Sequence, residues 1–322
     1  MTTPQPIATI GVTGATGFIG RHLVRVLRRD GAHVRALTRR AVATPNDDLP
    51  GSLTWVQGTL SDEEALARFV AGCDAVIHLA GSIKALSRDT FMADNVAGTR
   101  RLAAAAAALA EPPRFIHVSS LAAREPRLSN YALSKRESEK VLAPYRDAMS
   151  ISILRPPAVY GPGDAETLRI FAMAARGFAL VPAVPDARLS LIHVEDLVTA
   201  ILELLPQRED RGEPLEVDDN RPGGHDWPGL AAAAGEAVKR APRIIPVPAA
   251  ALYLGGAFGA LVAQITGRPS TLSWDKVPEL LHPDWVVRGP TVPGFRPRWD
   301  VANGFKNTVD WAISQGLLKS YS

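Results

Sequence analysis

The chain of 322 residues is 46% hydrophobic and 21% charged, with a net charge of +3. That is the profile of a soluble globular protein with core material for one large or two unequal domains. Basic residues such as Arg25, Arg28, Arg29, Arg39 and Arg40 are scattered without interleaved aromatics, so no nucleic-acid partner is expected. The one cysteine, Cys73, excludes an intramolecular disulfide and a cysteine-based cluster; no His/Asp/Glu group has ligand spacing, so no metal is expected.

The stretch MTTPQPIATIGVTG has no basic n-region and no long apolar run, which predicts no secretory signal and a cytoplasmic protein. From there, short β-branched runs alternate with helical segments. Strands are predicted at 7–12, 33–37, 53–56, 75–79, 115–118 and 151–154, and helices at 18–29, 62–70, 90–109 and 131–142. This alternation predicts βαβ units and a parallel sheet covered on both faces, an α/β doubly wound (Rossmann) fold. Cys73, just ahead of the fourth run, reads as an inert, partly buried thiol.

Between the first strand and first helix, Gly14, Gly17 and Gly20 stand at Gly-x-x-Gly-x-x-Gly spacing, with Phe18 and Ile19 opening the helix. Glycines there allow a tight turn and close approach to a pyrophosphate, which the helix N-terminus attracts, so a dinucleotide site is predicted. NAD-preferring sites carry an acidic residue near the end of the second strand. Here Thr38 is followed by Arg39 and Arg40. A guanidinium fork suits a 2′-phosphate, so NADP(H) is expected over NAD(H), with Arg39 the main contact; two solvated surface arginines are the plain alternative.

The Ala-rich run inside 90–109 predicts a closely packed helix, because Ala is the best helix former. Tyr131 and Lys135 then fall four residues apart at the start of a helix, on one face. An ammonium there lowers the pKa of a phenol from about 10. On the residues alone the two are either a proton donor with its tuning cation or a solvated surface pair.

After Leu154, Pro and Gly become frequent and the helices isolated, which predicts a smaller irregular C-terminal substrate lobe. The run at 188–194, leading into a helix near 195–205, predicts a late return to the sheet. The expected division is a dinucleotide-binding domain at 1–165, with 188–212 returning to it, and a substrate lobe at 166–187 and 213–322. Residues 247–265 carry no charge and approach bilayer-crossing length. Rich in Ala and Gly, this segment predicts a buried helix lining an apolar pocket rather than membrane contact.

The motifs TGATGFIG, HLAG, HVSS, YALSK, LRPPAVYGPGD and IHVEDL occur in the order of the extended short-chain dehydrogenases/reductases. The chain resembles that family from about Ile7 to Leu205, closest in motif to dihydroflavonol reductase and 3β-hydroxysteroid dehydrogenase-type members. The resemblance implies Tyr131 as proton donor and acceptor, with Lys135 lowering its pKa and binding the nicotinamide ribose. It implies Ser120, with Ser119 as the fallback, on the substrate carbonyl, and Asn95 supporting the lysine. Leu79, Ala80 and Gly81 would pass under the cofactor, Thr59 and Leu60 after the third strand would also bind it, and Pro156, Ala158 and Val159 would meet the nicotinamide side.

Two departures are visible. Where relatives place an Asp after the third strand this chain has Thr59, with Asp62 three residues on. Only ten residues separate Ser120 from Tyr131, and the acidic pair of the dehydratases is replaced by Leu121 and Ala122. The resemblance implies an NADP(H)-dependent oxidoreductase interconverting a carbonyl and an alcohol on a mainly apolar small molecule. One alternative is a nucleotide-sugar epimerase or dehydratase, with Arg169, Arg176, Arg188 or Arg268 on a pyrophosphate; the other is a non-catalytic NADP(H)-binding assembly protein. The helices at 90–109 and 131–142 resemble those that pair across a two-fold axis, so a homodimer is allowed.

Overall fold

The β-branched runs become parallel strands in a computed structural model that describes residues 9–45, 47–207, 212–266 and 272–319. Ile7 and Ala8 of the first predicted strand, and Arg268, lie outside the described residues. The chain divides into two units, the first made of 1–155, 198–215 and 290–295, the second of 156–197, 216–289 and 296–322.

In the first unit, β1 (Thr9–Thr13), α1 (Phe18–Arg29), β2 (His33–Thr38), β3 (Leu53–Gln57), α2 (Glu63–Val70) and β4 (Ala75–His78) follow in order. Then come α3 (Arg88–Phe91), α4 (Gly98–Ala107), β5 (Arg114–Val118), α5 (Asn130–Lys140) and β6 (Ile151–Arg155). Parallel pairing sets Ile10 opposite both Val34 and Ala75, and Val118 opposite Leu154. β4, β5 and β6 are buried along their whole length, as strands covered on both faces must be, which is why they read as continuous apolar runs. Leu66, Phe69, Leu102, Phe115 and Ile153 form the core cluster between helices and sheet.

The sheet has seven strands in the order β11-β6-β5-β4-β1-β2-β3, where β11 is Leu215–Glu216. Strand order therefore reverses beside β1, whose neighbours are β2 and β4. In doubly wound sheets, ligands bind at that switch point, off the carboxyl ends of the strands.

The predicted helix at 90–109 is interrupted. α3 and α4 are joined by a π-helical stretch, Met92–Ala97, which contains Asn95. Its wider turn is the kind of local departure found at functional sites.

The second unit contains β7 (Ala158–Tyr160), α6 (Ala165–Ala175), β8 (Phe178–Pro182), β9 (Arg188–Leu189) and β10 (Leu191–His193). α7 (Val194–Leu204) begins in this unit and continues into the first. α8 (Trp227–Ala237), β12 (Arg243–Val247), α9 (Ala249–Thr266), α10 (Val277–Leu281), β13 (Asp284–Trp285) and α11 (Val301–Ser314) complete it. Its core gathers Tyr160, Phe171, Leu191, Leu230, Val301 and Phe305.

Three expectations are corrected here. The run at 188–194 does not rejoin the main sheet: β10 pairs with β7, and β11 supplies the seventh strand. The IHVEDL motif is instead tied to the C-terminal part of its own unit: the His193 ring packs against that of Trp299 with centroids 4.5 Å apart. In the same motif, Asp196 accepts from the backbone N–H of Arg298 and Trp299 at 3.0 and 2.9 Å. The unit boundary falls at Arg155/Pro156 rather than near 165, and the returning segment is 198–215. Third, α9 is not buried. Among the described residues its Gly256 and Ala263 are the buried ones, Gly256 lying against Ser273 and Trp274. Leu254, Phe258 and Ile265 remain 73%, 69% and 76% exposed.

Candidate active site

The carboxyl end of β1 turns through Gly14, whose φ of +73° is open to glycine; a methyl there would sit 2.8 Å from the backbone N of Ala80. At Gly20 a methyl would collide with the Gly14 carbonyl and lie 2.7 Å from Ala15 Cα, so α1 packs directly on its own loop. Gly17 is the N-cap of α1 and no side chain closes the first turn, so its N–H groups are not taken up by a cap. Leu79 N donates to Thr13 O at 3.3 Å and Ala80 N to Thr13 Oγ1 at 3.2 Å, which ties the loop after β4 to the glycine loop. This narrow, uncapped cradle at the switch point fits the pyrophosphate of a dinucleotide.

At the end of β2, buried Thr38 donates to Arg40 O at 2.8 Å and shapes a short turn that displays Arg39 to solvent. Among the described residues the Arg39 guanidinium has no hydrogen-bond or ion-pair partner. Thr59 Oγ1 bonds Ser61 Oγ at 2.8 Å, and Leu60 packs on Gly98 of α4. Asp62 is committed to structure: it caps α2 by accepting from Ala65 N at 3.0 Å.

α5 begins at the N-cap Ser129, which accepts from Ala132 N at 2.9 Å and so sets the helical phase of Tyr131 and Lys135. Tyr131 is half-buried, its ring 6.2 Å from that of Phe91. Lys135 is buried one turn on, and Nζ donates to Val118 O at 2.9 Å. Burial lowers its pKa to about 8, and the Glu139 carboxylate a further turn along opposes that shift. This buried, tethered ammonium rules out the solvated surface pair.

Asn95, 2% exposed, is fully engaged. Its Nδ2 donates to Ser82 O at 3.0 Å and Ser134 Oγ at 2.8 Å, while Oδ1 accepts from Ser82 N at 2.7 Å. Ser134 in turn donates to Tyr131 O at 2.8 Å, so the π-helical turn reaches the backbone of the tyrosine. A methyl on Gly81 would lie 2.9 Å from Asn95 Oδ1 and 3.8 Å from Lys135 Nζ, which places HLAG beside both.

The two serines after β5 differ. Ser119 is buried and donates to Glu139 Oε1 at 2.6 Å, pointing into the protein. Ser120 is half-buried and its Oγ accepts from Ala122 N at 3.2 Å, capping the short 3-10 turn Leu121–Arg124 that fills the brief Ser120–Tyr131 connection. The hydroxyl proton of Ser120 finds no acceptor among the described residues. Pro156, Ala158 and Val159 lie in the second unit, the latter two on β7.

Behind the site runs a buried network that the motifs do not announce. Thr99 donates to Asn95 O at 2.6 Å, so it accepts from His78 Nε2–H at 2.9 Å. His78 Nδ1 then accepts from Thr13 Oγ1 at 2.7 Å, and the tautomer is fixed. Ser138 donates to Lys135 O at 2.7 Å and accepts from His117 Nε2–H at 3.0 Å. The two imidazoles stack 5.3 Å apart, and burial holds His78 near pKa 3 and His117 well below its ordinary value. Both are neutral core histidines. Glu139 is gripped by Arg155 through Nε at 2.8 Å and Nη2 at 2.5 Å. The sequence does carry a signal for it: Glu139 stands four residues beyond Lys135, the same spacing that links Tyr131 to Lys135.

The sequence profile of the NAD-dependent epimerase/dehydratase family matches residues 10–217. A ceramide reductase of Caulobacter vibrioides is 40% identical over 311 residues, covering 96% of both chains. The 4-hydroxy-2-methyl-3-oxo-4-farnesyl-3,4-dihydroquinoline-1-oxide ketoreductase of Stigmatella aurantiaca is 30% identical over 66% of this chain and 68% of its own. A UDP-glucuronic acid 4-epimerase from Bacillus cereus, solved with NAD, superposes with a TM-score of 0.70 at 16% identity, covering 96% of this chain and 100% of its own. The last likeness is one of fold.

Proposed function

Since the chain belongs to the NAD-dependent epimerase/dehydratase family and is an NAD(P)-dependent oxidoreductase of the extended short-chain type, we propose that it uses NADPH to reduce a ketone on a long-chain, ceramide-like amide lipid. The observation that carries this reading is the 40% identity to a ceramide reductase over 96% of both chains. The farnesyl group in the name of the Stigmatella relative is also apolar. The second unit adds an open cleft of about 410 Å3, lined by Val181, Pro182, Trp227, Ile244 and Pro246, that suits an aliphatic chain.

Gly14, Gly17, Phe18, Ile19 and Gly20 hold the pyrophosphate, and Arg39 takes the 2′-phosphate. Thr59, Leu60, Leu79, Ala80 and Gly81 wall the cofactor, with Pro156, Ala158 and Val159 assigned by family position. Bound NADPH supplies the hydride that the carbonyl carbon receives. Tyr131 gives its phenolic proton to the carbonyl oxygen as charge grows there. Lys135, tethered to Val118 O, stabilises the phenolate that remains until solvent restores its proton. Ser120 donates to the same oxygen, because Ser119 is turned to Glu139. Asn95 holds the Tyr131 turn through Ser134.

The nucleotide-sugar reading has less support. Arg169 is paired with Glu166 at 3.2 Å and Arg188 with Asp226 at 3.0 Å, so neither is an uncommitted cation for a pyrophosphate. The test is to mix purified protein with NADPH and a 3-oxo long-chain amide and to follow cofactor fluorescence together with the lipid product. NADPH consumed one for one with secondary alcohol supports the reading. No consumption with this ketone sets the substrate class aside, and equal use of NADH removes the role given to Arg39.

A further inference from the structure

α9 carries no charged residue over 18 positions, has a mean hydropathy of 1.5 and is only 12% buried. Leu254, Phe258, Val262 and Ile265 recur at helical spacing, so the exposed apolar residues form one stripe. β12, which leads directly into α9, exposes Ile244 and Ile245. Trp274 is also exposed and packs against Tyr253 with ring centroids 4.7 Å apart. Lys239 and Arg240 shortly precede β12 and Arg243 is its first residue; all three cations are exposed, with Glu236 the acid near them in sequence. An apolar stripe with an aromatic pair beside it, preceded in sequence by a basic cluster, is the pattern of a helix that lies in a membrane interface.

We propose that this face of the second unit seats on an anionic lipid bilayer, with α9 lying along the surface and Lys239 and Arg243 against headgroup phosphates. A spanning orientation fails on charge. α9 packs on the short turn at 274–276 and on α10, and those elements carry Asp275, Lys276 and Glu279, which insertion would drag into hydrocarbon. The basic cluster complements anionic headgroups, and that charge match is the argument for a bilayer over a second copy of the chain. Ile244 and Pro246 also line the 410 Å3 cleft, so a lipid lifted from the surface meets that cleft along the same strand. This last point rests on the lipid-ketone reading; the docking does not.

The test is co-sedimentation of the full chain with phosphatidylcholine vesicles, with and without phosphatidylglycerol, in the absence of substrate. The unmodified chain is expected to partition onto the anionic vesicles at least about tenfold better. The double variants Leu254→Glu/Phe258→Glu and Lys239→Glu/Arg243→Glu should each lose about tenfold while binding NADPH as before. Three results overturn the proposal: no pelleting of the unmodified chain with anionic vesicles, unchanged pelleting of both variants, or a dimer in solution that the first variant dissociates without any vesicle binding. Turnover plays no part in the readout, so failure of the oxidoreductase reading would be seen separately.

Discussion

Glu139 stands one helical turn beyond Lys135 on α5, and its carboxylate is closed off by Arg155 and Ser119 at 2.5–2.8 Å. Burial pushes the Lys135 ammonium toward neutrality, and Glu139 pulls it back. In the proposed mechanism Lys135 must be charged to stabilise the Tyr131 phenolate, so kcat/KM for ketone reduction should fall as pH rises through about 8. Glu139→Gln removes the opposing charge and should move that limb to lower pH. An alkaline limb that stays in place in Glu139→Gln would remove Glu139 from the tuning of the site.

The same pair has a structural consequence. Removing one partner of a buried ion pair leaves an uncompensated charge, so Arg155→Met should cost about 3–5 kcal/mol of stability in urea unfolding. The double variant Arg155→Met/Glu139→Leu should recover part of that loss. Equal destabilisation by the single and double variants would show that packing, not charge, dominates here.

His78 and His117 predict an acid limit. Their folded pKa values lie below the ordinary histidine value, so the unfolded chain binds more protons as pH falls below about 6.5. Stability should be full above that pH and decline beneath it by roughly 1.4 kcal/mol per pH unit for each histidine. His78→Asn should flatten the slope. A pH-independent midpoint between neutrality and mild acid would contradict the assignment of two neutral imidazoles.

In the proposed reading, Arg39 sets the preference for NADPH. Hydrogen bonds to a charged group contribute about 1.5–3 kcal/mol, so Arg39→Ser should weaken NADPH binding by about ten- to a hundredfold. NADH binding should be unchanged. Isothermal titration with both cofactors decides this, and equal losses for the two would point to a distorted loop instead.

Much of the fold and the site is legible in the amino-acid sequence. Six strands and the glycine turn follow from β-branched runs and Gly spacing, which are local signals. Motif positions single out Tyr131, Lys135, Ser120 and Asn95 as candidates, and the structure adds that Lys135 Nζ is buried against Val118 O and that the Ser119 hydroxyl is engaged by Glu139. The Thr13–His78–Thr99 chain and Arg155 are not legible, because each acts through residues far away in sequence. α9 departs from its expected burial for a related reason: its composition specifies an apolar environment but not what provides it. The exposed Leu254 and Phe258 show that the described residues of the second unit do not.

The most direct test of the central claim is a single-turnover reaction with NADPH deuterated at its transferable position and a 3-oxo long-chain amide, comparing the unmodified chain with Tyr131→Phe. Deuterium is expected on the carbinol carbon of the product. Tyr131→Phe should slow its appearance by about 10²–10⁴-fold while binding NADPH normally. An alcohol product without the label, or an unchanged rate in Tyr131→Phe, would contradict hydride transfer to this ketone with Tyr131 as the acid.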